Sequence, residues 1–295
     1  MANLKEVRSR IDSVNSTKQI TSAMKMVSAA KLRKAQRALH NMRPYALKLT
    51  EIVDHISASL GENIGSIYTE QRAPEKVLIV AIASNRGLSG PFNANVAKEA
   101  MEHLLQNYRP QFEAGQVDIF TIGKRVFEFL KSRKIDVARR NDQLLDDLSF
   151  ENVEALAQML QKEFADGKYD RIDIVYNQFK NAAVQLLTIE QLLPIAPQES
   201  ISDSAKEKSN IYYLFEPSKE EILLQLIPKA LTIQLYKALL DSAASEHGAR
   251  MTAMHKATDN ADELIKSLRL SYNKARQAAI TNEILEIVSG AEALR

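Results

Sequence analysis

Five histidines, His40, His55, His103, His247 and His255, are the side chains best suited to proton transfer near neutral pH in this 295-residue chain, and they are scattered. None belongs to an H-E-x-x-H metal pattern, and His247 and His255 share a helix face only loosely. No G-x-S-x-G run places a serine for nucleophilic attack. Asp146, Asp147, Asp170 and Asp173 flank predicted loops and strand ends, where a carboxylate ordinarily serves as a solvated turn or capping group. The absence of cysteine removes disulfides, thiolate metal ligands and cysteine nucleophiles together. The segment Ser84-Asn85-Arg86-Gly87-Leu88-Ser89-Gly90-Pro91 follows a predicted strand and precedes a predicted helix, where phosphate sites are often built. Its glycines are spaced G-x-x-G, without G-x-G-x-x-G or a G-K-[ST], so a structural turn is the better reading than a nucleotide site.

Charge is more informative than these single groups. The chain as a whole is +2, but residues 1–50 hold eleven Lys and Arg against Glu6 and Asp12, so 11 − 2 gives +9 and leaves the remainder near −7. The basic run Lys25, Lys31, Arg33, Lys34 and Arg37 fits a solvated helix face, an acidic protein surface or, less well, nucleic acid, since no aromatic side chains interleave it. With 45% apolar and 26% charged residues the composition is that of a folded soluble protein. Nothing approaches eighteen consecutive apolar residues, and the start Met1-Ala2-Asn3-Leu4-Lys5-Glu6 lacks the apolar core of a secretory signal, which leads to the expectation of an intracellular chain or a mature form.

The elements that must carry these groups change period twice. From Lys229 to Ser289 the chain has no proline and one glycine, Gly248, enough for a helix of roughly 90 Å. Within it Ala261, Ile265, Leu268, Tyr272, Ala275 and Ala279 follow the 4–3 spacing of a coiled-coil seam. At the other end Leu4, Val7, Ile11 and Val14 begin a similar stripe. It resumes as Ile20, Met24 and Val27 after a phase slip, and again as Leu49, Val53, Ile56 and Leu60, with Pro44 predicting a kink. Small residues and methionines, Ala23, Met24, Met26, Ala29 and Ala30 against Met251, Ala253, Met254, Ala257 and Ala261, suit either close helix packing or a surface that slides within another protein.

Between the two helices Lys76–Ala83 reads as a strand buried on both faces. A helix over 95–106, strands over 117–122 and 135–138, helices over 124–132 and 152–164, and strands over 170–179 and 184–193 follow. Ile211–Phe215 reads as an extended edge, and Pro228 as a kink or restart of the last helix. The fold class is α/β with long helices, an antiparallel coiled coil of N- and C-terminal helices plus a central Rossmann-like α/β domain. The expected segments are 1–60, 75–197 and 217–295.

Both ends and the loop at Ser84–Gly90 resemble the gamma subunits of bacterial F-type ATP synthases. The runs that carry the likeness are Leu4-Lys5-Glu6-Val7-Arg8-Ser9-Arg10-Ile11, residues 18–32, Ser245-Glu246-His247-Gly248-Ala249-Arg250-Met251, residues 257–261, 272–284 and 286–291. The resemblance implies a non-catalytic rotor shaft inside a hexamer of three alpha and three beta subunits, coupling ion-driven rotation of a membrane c ring to ATP synthesis or hydrolysis. It implies no cofactor, no metal and no nucleic acid. The implied partners are alpha, beta, epsilon and the c ring, and the implied location is the cytoplasmic side of the inner membrane, peripheral to it. Arg250, Gln277, Thr281 and Glu283, with Lys25, Lys31, Arg33 and Lys34, match positions that meet the beta subunits in that family. Met24, Val27, Ile265, Leu268, Tyr272 and Ala275 are the expected shaft seam, and the end at Arg295 would lie in an apolar bearing. Plant plastid members carry an inserted cysteine pair, which this chain lacks.

Overall fold

A computed structural model describes residues 4–60, 67–195 and 218–292. The expected edge at Ile211–Phe215 lies outside these residues. In chain order the elements are α1 (Leu4–Leu60), β1 (Val77–Ile82), α2 (Phe92–Asn107), α3 (Arg109–Glu113), β2 (Val117–Ile122), α4 (Lys124–Ser132), β3 (Arg139–Asn141), α5 (Phe150–Ala165), β4 (Arg171–Phe179), β5 (Gln185–Leu193) and α6 (Lys219–Glu292). By packing, the chain divides into two compact units, residues 1–30 with 250–295, and residues 31–249. Residues 31–60 of α1 and 219–249 of α6 thus belong with the sheet.

In the larger unit the five strands run in the order β3-β2-β1-β4-β5, parallel except for β5, which pairs antiparallel with β4. The central strand shows why the sequence reads as it does. Val77, Ile79 and Ala81 face α2 and α4, while Leu78, Val80 and Ile82 face α5 and the lower parts of α1 and α6, so all six residues are buried. Each layer of helices thus covers one face of a sheet that has no solvated side at its centre.

Three local expectations change. The third strand is Arg139–Asn141 rather than residues 135–138. Ile135 and Val137 are half-buried against the α2/α4 layer, and the ladder to β2 is entered only when Ala138 N–H donates to Ile119 O at 3.0 Å. Pro44 does not break α1, because the carbonyl it deprives of a partner, that of His40, lies on an exposed turn where water can serve it. Pro228 is likewise inside α6, and its own carbonyl accepts from Gln161 Nε2 and Thr232 Oγ1, both at 2.9 Å, which ties α5 to α6.

Two glycines sit where a side chain would collide. Gly123, at φ 113°, opens α4 with the position of a Cβ only 3.0 Å from the Ala83 carbonyl carbon, so β2 can turn directly into the helix over the end of β1. At Gly248 an added Cβ would lie 3.2 Å from the backbone of Ala182, which lets the β4–β5 hairpin rest on α6.

That hairpin also meets the buried Asp241 of α6, which accepts from Phe179 N–H at 3.4 Å. Burial holds this carboxyl above the ordinary carboxylate range, against the hydrogen bond and the charges of Lys237 and Arg43. A raised native pKa means that the native state resists ionisation. Stability from this group is therefore fullest below the unfolded carboxylate value of about 3.9 and declines as pH rises through the native value. Asp241→Asn should melt higher than the unaltered chain at pH 7, with the difference vanishing at low pH. Thermal unfolding across pH checks it, and an equal or lower melting temperature at pH 7 counts against it.

Candidate partner interface

The positions most able to hold a nucleotide are closed by the protein itself. In the loop after β1, Ser84 N–H and Oγ both donate to Asn93 Oδ1, at 3.0 and 2.8 Å. Asn93 Nδ2 in turn donates to Ser89 Oγ at 3.1 Å. Asn85 Nδ2 donates to Asp142 O at 2.9 Å, and Asn85 Oδ1 accepts from Lys124 N–H at 3.1 Å. The side chains of Ser84, Asn85 and Asn93 are spent on linking β1 to α2, α4 and the turn after β3, which supports the reading as a structural turn.

His103, joined to a buried carboxylate, is also enclosed. His103 Nε2 lies 2.8 Å from Asp173 Oδ2, Tyr108 OH donates to the same oxygen at 2.6 Å, and Arg171 Nε donates to Oδ1 at 3.1 Å. Asn107 Nδ2 approaches His103 Nδ1 at 2.9 Å, so Nε2 carries the hydrogen that Asp173 accepts. Burial pushes the Tyr108 hydroxyl well up, reinforced by Asp173. Burial also opposes ionisation of Asp173, but the His103 and Tyr108 hydrogen bonds and the Arg171 charge outweigh it and hold the carboxyl below its usual range. His103, Tyr108 and Asp173 are buried, and Asp173 is committed to all three of its neighbours.

The candidate contact residues are carried by the two long helices, which pair in the smaller unit. Three contacts set their antiparallel pairing: Lys18 Nζ to Asp262 Oδ1 at 2.5 Å, Thr21 Oγ1 to Thr258 Oγ1 at 2.9 Å, and Lys25 Nζ to His255 Nδ1 at 3.4 Å. Continued along the helices, this pairing sets Val14 level with Ile265, Ile11 with Leu268, Val7 with Tyr272 and Leu4 with Ala275. Each of those eight residues is buried or half-buried. Ile265, Leu268, Tyr272 and Ala275 are thus seam residues, as their spacing suggests.

On α1 the seam differs from the expectation. The buried or half-buried positions Leu4, Val7, Ile11, Val14, Lys18, Thr21, Lys25 and Ser28 keep one 3–4 alternation with no phase slip. Val27, expected in the seam, is 57% exposed, and Ile20 is 60% exposed. Met24 is half-buried beside the seam. Polar residues occupy the contact line through this stretch, so Ile20 and Val27 point outward.

The candidate contact residues are spread along the helices. Arg250 is buried, at 7% exposure, while Gln277, Thr281 and Glu283 are exposed. Arg250 and Gln277 are 277 − 250 = 27 residues apart, roughly 40 Å along α6, so they cannot form one site. Lys25 is half-buried against His255, and Lys31, Arg33 and Lys34 stand exposed on α1 within the larger unit. From Arg276 to Ala291 every residue is exposed, Ala279 included, because the described part of α1 ends level with Ala275. Ile280, Ile284, Leu285, Ile287 and Val288 consequently leave an uncovered apolar face, 48 to 68% exposed. The sequence holds the signal for it, an apolar stripe that continues past the level of Leu4.

No helix among the described residues is long and apolar enough to cross a membrane, and no group of three or more His, Cys, Asp or Glu that could hold a metal occurs among them. The exposed faces of the paired helices carry apolar, polar and basic groups.

A family model described as ATP synthase matches residues 3–294. The ATP synthase gamma chain of Flavobacterium johnsoniae is 60% identical, over 100% of this chain and 99% of the relative. That of Geobacter metallireducens is 44% identical, over the full length of both. Among solved structures, a chain in the central stalk and c ring of the Tetrahymena thermophila mitochondrial ATP synthase has a TM-score of 0.60 at 25% identity, covering 81% of this chain and 99% of that one. A chain of the Euglena gracilis mitochondrial ATP synthase aligns with a TM-score of 0.65 at 22% identity, covering 99% and 94%.

Proposed function

The chain belongs to the ATP synthase gamma family, and on that premise we propose that it is the central rotor shaft of a bacterial F-type synthase, itself non-catalytic. The paired helices of the smaller unit stand within a hexamer of alpha and beta subunits, and the sheet unit meets epsilon and the c ring. The assembly is peripheral to the membrane, on its cytoplasmic side. Ion flow turns the ring and the shaft, and the asymmetric shaft presents a different face to each beta subunit in turn.

One observation carries this reading. The paired helices bury a narrow seam and leave their outer faces and the whole stretch 276–291 exposed, apolar groups included, as a shaft enclosed by other chains requires. The exposed Lys31, Arg33 and Lys34 suit an acidic loop of beta, and Gln277, Thr281 and Glu283 suit polar contacts further along. Exposed ion pairs contribute about 0–1 kcal/mol each, so a rotor can exchange them at every step without being trapped.

Reconstitution tests it. Mixed with purified alpha and beta subunits, the chain should form a stable complex in which ATP hydrolysis turns a probe fixed to the sheet unit. Hydrolysis with a stationary probe, or no complex at all, would sink the proposal.

A further inference from the structure

Residues 124–140 hold seven Lys and Arg against Glu128 and Asp136, so 7 − 2 gives +5. The rest of the chain beyond residue 50 then carries −7 − 5, or −12, which makes this stretch a basic island in an acidic setting. Its charges lie on α4, on the turn after it and on β3, an edge strand of the sheet. Several are answered within the protein. Lys124 and Arg125 share Glu128, at 3.7 and 2.9 Å, Arg139 meets Glu163 at 2.6 Å, and Arg140 pairs with Asp142. Lys131, Arg133 and Lys134 are exposed, and no carboxylate among the described residues pairs with them.

Two observations separate this group from an ordinary solvated face. The cations are held in place: Arg133 lies 4.5 Å over the Phe129 ring, and Lys131 and Arg140 lie 5.8 and 4.6 Å over that of Phe127, both rings being half-buried. The second is backbone. Lys134 N–H donates to Lys131 O at 3.0 Å and Ile135 N–H to Leu130 O at 3.2 Å, the helix-ending pattern whose left-handed position is ordinarily glycine. Lys134 occupies it at φ 60°. Gly90, Gly115, Gly123 and Gly167 fill four of the other five positive-φ positions among the described residues, so a lysine here is the exception. Backbone strain of this kind persists where a side chain is put to use. The end of α4 itself calls for less, since a helix C-terminus carries only about half a negative charge.

We propose that Lys131, Arg133 and Lys134, with Arg140 beside them, form a docking surface for a carboxylate-bearing segment of another protein. A guanidinium stacked on a ring keeps its N–H edge directed at carboxylates. A lipid surface fits less well, because residues 124–140 expose no large apolar side chain that could enter a bilayer. The assignment rests on the rotor reading, in which the partners of the sheet unit are epsilon and the c ring, and the segment belongs to one of them.

Binding of the full chain to purified epsilon and to the purified c ring, at low and at high salt, tests it. Lys131→Glu, Arg133→Glu and Lys134→Glu together should weaken one of these complexes by about tenfold or more and flatten its salt dependence. Lys98→Glu, Lys162→Glu and Lys180→Glu make the same change in net charge at exposed positions elsewhere on the sheet unit and should leave both complexes unchanged. Lys134→Gly separates docking from folding: it should raise the melting temperature while weakening the same complex several-fold. Complexes unmoved by the triple reversal, an equal loss in the control set, or Lys134→Gly binding as well as the unaltered chain overturns the proposal. A triple reversal that instead abolishes binding to phosphatidylglycerol vesicles, with both protein complexes intact, also overturns it. If the triple variant does not fold, Lys134→Gly decides alone. An unaltered chain that binds neither epsilon nor the c ring counts against the rotor reading itself, and the assignment falls with it.

Discussion

Replacing Asp173 by alanine should cost about 3–5 kcal/mol of the stability of the sheet unit. The carboxylate is 1% exposed and satisfies His103, Tyr108 and Arg171 at once. Its removal leaves a buried imidazole N–H and a buried phenol without their acceptor and a guanidinium without its counter-charge. Denaturant unfolding of the full chain, followed by a probe in the sheet unit, measures the loss. Asp173→Asn keeps an acceptor oxygen and should cost less, because one of the three donors retains a partner. The pH dependence has a defined sign. A carboxyl whose native pKa is lowered contributes stability that is complete above the unfolded value of about 3.9 and is lost as pH falls through the lower native value. The alanine variant should therefore converge on the unaltered chain in acid. A gap that stays constant down to pH 2 would mean that packing, not the charge, holds this corner together.

That cluster marks a limit of sequence reading. His103 and Tyr108 are separated from Asp173 by whole elements, and only the pairing of β1 with β4 brings α2 over them. No local motif encodes the meeting. The strands were legible for the opposite reason: Val77–Ile82 is a branched apolar run too short for a buried helix, and its neighbours alternate with amphipathic segments. Where polarity and position part company, periodicity misleads. Across residues 18–28 the apolar period follows Ile20 and Val27, whereas the contact line follows Lys18, Thr21, Lys25 and Ser28. The stripe at Ile135 and Val137 was misread similarly, since half-burial against a helix layer leaves the same alternation as a ladder. Family resemblance names candidate contacts without their exposure, and of these Arg250 is buried while Gln277, Thr281 and Glu283 are exposed.

Ile265→Asp should separate the paired helices while leaving the sheet unit folded. Ile265 is 7% exposed in an unbroken stretch of seam, between Ala261 and Leu268 and level with Val14. An unpaired carboxylate there forfeits the burial of the isoleucine and must be desolvated or protonated, together about 3–5 kcal/mol. Among the described residues the smaller unit has no second layer to absorb that, since its two helices bury one narrow stripe against each other and the described part of α1 ends level with Ala275. The sheet unit keeps its own two clusters, so the loss should appear as local rather than global unfolding. Limited proteolysis should cut the variant within residues 4–30 and 250–292 while the sheet unit survives. Leu264→Asp is the control: its neighbour is 48% exposed, and the same charge one residue away should change the isolated chain by only about 0.5 kcal/mol. If the two variants are cut alike, the register argued from Lys18–Asp262 and Thr21–Thr258 is wrong. If they differ as expected, Ile265→Asp should also fail to support ATP-driven rotation when mixed with alpha and beta subunits, because a shaft whose strands part cannot transmit torque from one end to the other.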